Sequence, residues 1–304
     1  MIKTGKDHLE QLRDGRVVFI GDEKVSDVTK HPSLKRAAKT IAKLYDLKHN
    51  KEYKEHLTYE ENGETFSTWF IQAKNKDDLR KRSKAHKIIA DQTSGMMGRS
   101  MDHVASFVTG MSTSTDIFDN EKYKFSGNLL NYYEYMKKND VFASYAVVPP
   151  QAARNPEFYQ KRNLPIPTLS VVSENDKGVV ISGMKMLATS AIFANEIWIG
   201  NLIPLAPDQV KQSITCAIPC NANGLSLWMR QPLSNHYDNQ FDAPLSWNQD
   251  ETDVLVMCDK VLVPWERIFV KDDAIQAREI YFKTPAHCYG CLLYTSDAAD
   301  DCWS

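Results

Sequence analysis

The sequence predicts an α+β protein whose chain runs helix first, sheet second and helix again at the end. Three observations predict it. Apolar residues recur at three- and four-residue spacing through positions 1–144, the pattern changes to period two after Pro149 and Pro150, and helical spacing returns from Asp272. With 304 residues the chain can hold more than one packed core. The expected division is a helical domain over 1–144, a β domain over 145–271 and the start of a second helical domain over 272–290.

In order along the chain, the first clear helix lies within 33–49, where Leu34, Ala37, Ala38, Ile41, Ala42 and Tyr45 share one face. A second covers about 77–93, with Leu79, Ile88 and Ile89 apolar and many lysines and arginines outside. That basic run reads as a solvated face in preference to a phosphate-binding patch. Val104, Phe107, Val108 and Met111 mark a third helix, and 123–138 a fourth whose Tyr132, Tyr133 and Tyr135 are expected to pack. Strand-like segments follow at 169–172, 179–182, 196–199, 214–217 and 254–257, with a hairpin loop at 175–178. The irregular stretch 231–251 is too long for an ordinary connection and reads as a lid or binding loop.

A hydrophobic fraction of 42% with 25% charged residues is that of a soluble globular protein, and no apolar run nears the eighteen or so residues of a membrane span. No secretory signal is read at the start, so a cytoplasmic location without a membrane partner is expected. Residues 291–304 stand apart. From Cys291 to Asp301 they look like the in-frame translation of a sequencing-library adapter and follow Gly290 without turn chemistry, so a non-native tail is expected. Setting it aside removes three acids and moves the formal charge from −2 to +1, which argues against nucleic acid as the partner. The remaining Cys216, Cys220, Cys258 and Cys288 are too scattered for a disulfide framework or a zinc site, and no metal is expected. Cys216 and Cys220 share one strand face and read as core. No glycine-rich dinucleotide fingerprint follows a strand and no Walker loop is present.

The chemistry-bearing stretch is 94–103. Gly95 and Gly98 free the backbone for a turn between two amphipathic segments, Arg99 is a fixed cation on it, and His103 a proton handler four residues on. Turn chemistry alone leaves a plain helix-to-helix turn with a solvated arginine as an equal reading.

The rest of the chain adds an ordered set of short motifs: Thr4-Gly5, Leu12 to Arg16, Gly21 to Val25, Asp27 to Pro32, Leu44 to Asp46, Gly95 to Ser100, Tyr145 to Gln151 and Val263 to Phe269. In this order they closely resemble the oxygenase component of the two-component, flavin-dependent 4-hydroxyphenylacetate 3-monooxygenases, over essentially all residues before the tail. The resemblance implies an acyl-CoA dehydrogenase-like fold with an N-terminal helical domain, a middle antiparallel β-barrel domain and a C-terminal helical bundle that is largely missing. It implies a monooxygenase that hydroxylates a phenol ortho to its hydroxyl with dioxygen and reduced FAD, the flavin being delivered by a separate flavin reductase. For the full-length parent it implies a homotetramer.

Residue roles follow from the same resemblance. A phenol has a pKa near 10 and its ring is far more nucleophilic as phenolate, so a cation or proton acceptor beside the hydroxyl promotes attack. In the family an arginine and a tyrosine on the glycine-flanked turn and a histidine at the start of the β domain surround that hydroxyl. Here Arg99 matches, His103 falls on the tyrosine position and Tyr145 on the histidine position, so the partners are exchanged and their hydrogen bonding is expected to persist. Flavin contacts are implied for Tyr145, Gln151, Ala152, Ala153, Arg154 and Thr189, and a substrate wall for Arg99, Ser100, His103, Tyr145, Leu202 and Ile203. Arg154 is expected to offer charge-assisted bonds to diphosphate or flavin oxygens, and Thr189 to donate to the isoalloxazine edge.

Leu202 and Ile203 stand where the family carries a hydroxyl-bearing pair that holds a phenylacetate carboxylate, and they cannot make those bonds. The stretch from Leu245 to Asp250 also departs from the usual serine–arginine pair. A phenol other than 4-hydroxyphenylacetate is therefore expected, larger or less acidic. A related 4-hydroxybutyryl-CoA dehydratase would need cysteine thiolates where Met96 and Ser100 stand. An acyl-CoA dehydrogenase relative would carry its catalytic glutamate beyond Gly290, and an inert fragment of a monooxygenase is the remaining alternative.

Overall fold

The computed structural model describes residues 2–290; the expected tail at 291–304 lies outside the described residues. Helix α1 (Gly5–Gln11) opens on a capping box, with the Asp7 N–H donating to the Thr4 hydroxyl oxygen and the Thr4 N–H to the Asp7 carboxylate. Strands β1 (Val18–Ile20) and β2 (Glu23–Val25) come next, then α2 (Lys35–Asp46), which buries the apolar face read from its spacing. After α3 (Lys54–Leu57) and the hairpin β3 (Thr58–Glu61) and β4 (Glu64–Ser67), the long helices α4 (Lys76–Gln92), α5 (Met101–Met111) and α6 (Ser126–Asn139) complete the helical part.

Strand β5 (Ala143–Ala146), helix α7 (Pro156–Gln160) and strands β6 (Ser170–Asn175), β7 (Gly178–Lys185), β8 (Glu196–Ile199), β9 (Ile214–Pro219) and β10 (Leu225–Met229) follow. The chain then makes α8 (Ser246–Gln249), β11 (Val254–Pro264), β12 (Ile268–Lys271), α9 (Gln276–Phe282) and α10 (Ala286–Gly290). The β part is two sheets, one of six strands in the order β2-β1-β10-β11-β7-β6 and one of four in the order β12-β9-β8-β5. Pairing is antiparallel except for β1 with β10 and β5 with β8. Every period-two segment of the sequence falls on a strand, although β8 and most of β9 are buried on both faces.

Three features differ from the expectation. The first part is not wholly helical: β1 and β2 extend the six-stranded sheet, through a parallel pairing of Val18, Phe19 and Ile20 with Leu227, Trp228 and Met229. Three-residue strands carry too little alternation to be read locally, and their partner lies some 200 residues away. The stretch 231–251 contains a 3-10 turn at Leu233–His236 and helix α8. It is fastened to α2, where Arg36 donates to the Trp247 carbonyl at 2.8 Å with its guanidinium over that ring, and Thr40 donates to the Asn248 carbonyl at 2.7 Å. On α4 the basic run is mostly solvated, but Arg82 turns inward to the carbonyls of Trp69, Ile71 and Tyr289, and His86 is buried.

The helical part is tied together by a buried ion pair. Asp140, in the left-handed conformation (φ 47°) that ends α6, accepts from the Lys48 ammonium, from the Ser67 hydroxyl at 2.7 Å and from the Lys3 N–H at 3.1 Å. Burial pushes the Asp140 carboxyl up, yet Lys48 and Ser67 outweigh it and hold the group below the usual carboxylate range. Asp140→Ala leaves the Lys48 charge buried and unpaired, and is expected to cost about 3–5 kcal/mol by urea unfolding. Because the folded value is depressed, the stabilisation from Asp140 is present above about pH 4 and fades as pH falls through the folded value; urea midpoints measured against pH check this. Cys216, Cys220 and Cys258 are buried with thiols pushed up by burial, whereas Cys288 is exposed. Among these four, a thiol reagent is expected to label Cys288 first.

Candidate active site

Helix α5 carries the site, and all eleven of its residues are buried. An all-buried helix must satisfy its polar side chains internally. Asp102 accepts from the Ser100 hydroxyl at 2.7 Å and pairs with His86 Nδ1 at 2.5 Å, while His86 Nε2 meets the Ser106 hydroxyl at 3.3 Å. The row Ser106–His86–Asp102 has the order of a nucleophile triad, but Ser106 is wholly buried, so it serves as scaffolding. Thr109 donates to the Ala105 carbonyl at 2.7 Å. His103 is the exception: its buried Nδ1 has no hydrogen-bond partner among the described residues.

His103 sits edge-on to Phe107 at 4.9 Å and to Tyr145 on β5 at 5.8 Å between ring centroids. Phe107 stacks on Tyr145 at 5.5 Å and meets His287 of α10 at 5.4 Å, and Tyr145 lies edge-on to Tyr281 of α9 at 6.0 Å. The exchanged pair is thus brought together, one ring from each of two elements. Gly110 lets α10 pack against α5, because a Cβ there would lie 2.6 Å from the Tyr289 ring. Burial, reinforced by the nearby Arg99 charge, pushes the His103 imidazole down to about 3.

The turn before α5 is sharp. Gly95 has φ +73° and Ser94 φ 52°, so the left-handed turn falls on these two residues and not on Gly98. Arg99 follows, and its guanidinium makes no hydrogen bond or ion pair among the described residues. Its backbone N–H donates to Glu251 Oε1 at the end of the 231–251 stretch. Arg99 and Thr189 line one cavity of about 280 Å³ together with Met96, Gln249, Glu251 and Asp253. Leu187 and Ser190, which bracket Thr189, also have left-handed backbones, at φ 60° and 61°. Unpartnered buried atoms gather in this neighbourhood among the described residues: Ser190 Oγ, Gln249 Oε1 and Thr252 Oγ1.

Thr189 donates its one hydroxyl proton to Asp253 at 3.1 Å, so what it offers a ligand in this arrangement is a lone pair. A second cavity, of about 550 Å³, is lined by Ala153 and Ile203 with Val147, Lys185, Asn201 and Leu205. Gln151 and Ala152 are exposed on the 3-10 turn Gln151–Arg154, Ser100 is committed to Asp102, and Leu202 packs part-buried against the core. The structure therefore joins Arg99 with Thr189, His103 with Tyr145, and Ala153 with Ile203.

Two side chains escaped the sequence reading. Glu251 is pushed up to about 7 by burial. Lys185 is pushed down to about 7 by burial, with its ammonium donating to Asn201 Oδ1 at 2.7 Å. Glu251 closes an irregular loop and Lys185 ends an alternating strand; only the loop's length hinted at either.

The α+β fold is shared at a TM-score of 0.81 and 20% identity with an archaeal 4-hydroxybutyryl-CoA dehydratase. The family described as 4-hydroxyphenylacetate 3-hydroxylase N terminal matches residues 4–270, and the chain belongs to that family. It is 37% identical over 290 residues to the 4-hydroxyphenylacetate 3-monooxygenase oxygenase component of Thermus thermophilus, covering 94% of this chain and 58% of that protein. To the oxygenase component of a Rhodococcus 4-nitrophenol 2-monooxygenase it is 31% identical, covering 88% of this chain and 51% of the relative. A crystal structure of a 4-hydroxyphenylacetate 3-monooxygenase oxygenase component complexed with FAD and 4-hydroxyphenylacetate matches with a TM-score of 0.88 and 35% identity, over 97% of this chain and 60% of that one. The chain thus spans little more than half the length of these relatives.

The His103 imidazole is expected to stay neutral across about pH 5–8, where an ordinary histidine titrates. Its ring resonances, followed by NMR, should not move over that range. With its folded value below the unfolded one, its contribution to stability is present above about pH 6.5 and is lost on acidification toward about 3.

Proposed function

We propose that this chain is part of the oxygenase component of a two-component flavin-dependent monooxygenase that hydroxylates a phenol ortho to its hydroxyl, using dioxygen and reduced FAD from a separate flavin reductase. One observation carries the reading: the unpaired Arg99 guanidinium and Thr189 share a cavity whose neighbourhood holds buried polar atoms without partners. Such atoms cost free energy unless a ligand satisfies them. A flat heteroaromatic ring with a hydrogen-bonding edge, and a phenol beside it, fit that set. The relatives named for 4-hydroxyphenylacetate and 4-nitrophenol support the substrate class.

In this reading Thr189, Tyr145 and the Gln151–Arg154 turn hold the flavin. When bound, reduced FAD supplies the activation of dioxygen. Arg99 holds the phenol oxygen and favours its anionic form. His103, neutral at its burial-lowered value, directs a hydrogen bond without adding charge. The Phe107 and Tyr145 rings exclude water from the reacting pair. Leu202 and Ile203 take away the hydroxyl pair that would hold a phenylacetate carboxylate, which favours a larger or less acidic phenol. A division of the chain near 145 and 272, a homotetrameric parent and a cytoplasmic location belong to the same proposal.

The test is an anaerobic titration of the full-length protein with reduced FAD, followed by an oxygen-uptake screen of phenols. Saturable binding and phenol-dependent product formation are expected, and their absence would overturn the reading. Arg99→Gln is expected to lower kcat by on the order of 10²–10³, the loss typical of removing a group that stabilises developing anionic charge. His103→Ala is expected to divert oxygen to peroxide; unchanged coupling would show that the exchanged pair does not act on the hydroxyl.

A further inference from the structure

Glu251 stands where two parts of the site meet. Its Oε1 accepts the Arg99 backbone N–H, which ties the end of the 231–251 stretch to the glycine turn, and its side chain lines the cavity shared by Arg99 and Thr189. Among the described residues its Oε2 accepts no hydrogen bond. The charged and titratable groups around it are Arg99 on the turn, Asp102 on α5, Arg230 after β10, and Asp250 and Asp253 on its own segment. Most are already engaged. Arg230 binds Asp250 at 2.6 Å and approaches Asp253 at 3.6 Å, Asp253 also accepts from Thr189, and Asp102 is paired with His86. The Arg99 guanidinium and Glu251 Oε2 are left to face a ligand.

Resting on the reading of the site given above, we infer that Glu251 is the proton acceptor for the bound phenol. The phenol O–H bond breaks, the proton passes to Glu251 Oε2, and the electron pair stays on the oxygen as a phenolate held by the Arg99 guanidinium. The net charge of the site is unchanged, with the negative charge moved from carboxylate to phenolate. Magnitudes favour Glu251 over His103 as the base. A free phenol lies near 10, and an opposite charge within about 4–6 Å draws an acid down by about 1–3. That brings a phenol beside Arg99 close to the value of about 7 held by Glu251, and leaves it far from the value of about 3 held by His103. An acceptor matched to the working pH is the efficient one.

Glu251→Gln separates proton transfer from mere tethering, because the amide oxygen still accepts the Arg99 N–H but cannot take the proton. With the full-length protein and 4-methylphenol as probe at about pH 8, above the Glu251 value of about 7, wild-type binding should produce the ultraviolet band of a phenolate. Calorimetry in two buffers of different ionisation enthalpy should show no net proton release. The Glu251→Gln variant should bind the probe with little change in affinity, release about one proton to the buffer per phenolate formed, and lose about 10²–10⁴ in hydroxylation rate. Proton release and a hydroxylation rate that are the same in Glu251→Gln as in wild type overturn the inference and leave the Arg99 reading standing. Failure of wild type to bind any phenol overturns that reading and this inference with it. If the variant folds poorly by circular dichroism, the wild-type calorimetry decides alone: release of about one proton per phenolate formed sinks the idea.

Discussion

The complete burial of α5 is the constraint on which the rest of the site depends. A helix with solvent on one side can leave Asp, His, Ser and Thr to water, but α5 has none to spare. Asp102 and Ser106 are therefore answered by His86 from α4, and Thr109 by its own backbone. Those commitments fix the rotation of α5 about its axis and, with it, the direction in which His103 points. They also fix the start of the helix, since Ser100 is bound to Asp102 immediately after Arg99. His103, whose buried Nδ1 has no partner among the described residues, is the departure inside so well-paired a helix.

The same constraint brings the halves of the molecule together. Phe107 and His103 reach Tyr145 on β5, so the helical part and the four-stranded sheet meet through aromatic rings. On the other side of the turn, Glu251 joins Arg99 to the segment that leads into β11 of the six-stranded sheet. That segment is in turn pinned to α2 by Arg36 and Thr40. Arg99 is thus held by its backbone, while its guanidinium makes no hydrogen bond or ion pair among the described residues. Burial then sets the proton affinities in opposite directions, lowering the imidazole of His103 and raising the carboxyl of Glu251.

Local periodicity made the helices and main strands legible. Residues such as Ala37, Ile41 and Tyr45, or Val179 and Ile181, carry their burial in their spacing, and the structure buries them as expected. Arg99, His103 and Tyr145 were legible through motif order, because the glycine turn and the strand after it keep their place along the chain. Lys185 and Glu251 were not. A lysine at the end of an alternating strand and a glutamate at the end of a polar loop look like solvated residues until packing encloses them. Nor could Thr189 be seen to spend its proton on Asp253, since that contact spans 64 residues and rests on how the turn after β7 meets the start of β11.

The sequence by itself determined the order of helix and sheet, the family, and the spacing that sets His103 four residues after the glycine-flanked Arg99. These are properties of spacing and of residue type, which short windows preserve. Only the tertiary structure decided that β1 and β2 leave the helical part to extend a distant sheet, that His86 scaffolds α5, and that Glu251 faces the cavity beside Arg99. Those depend on which side chains are removed from water together, and desolvation is a property of the assembled fold and not of any stretch of chain.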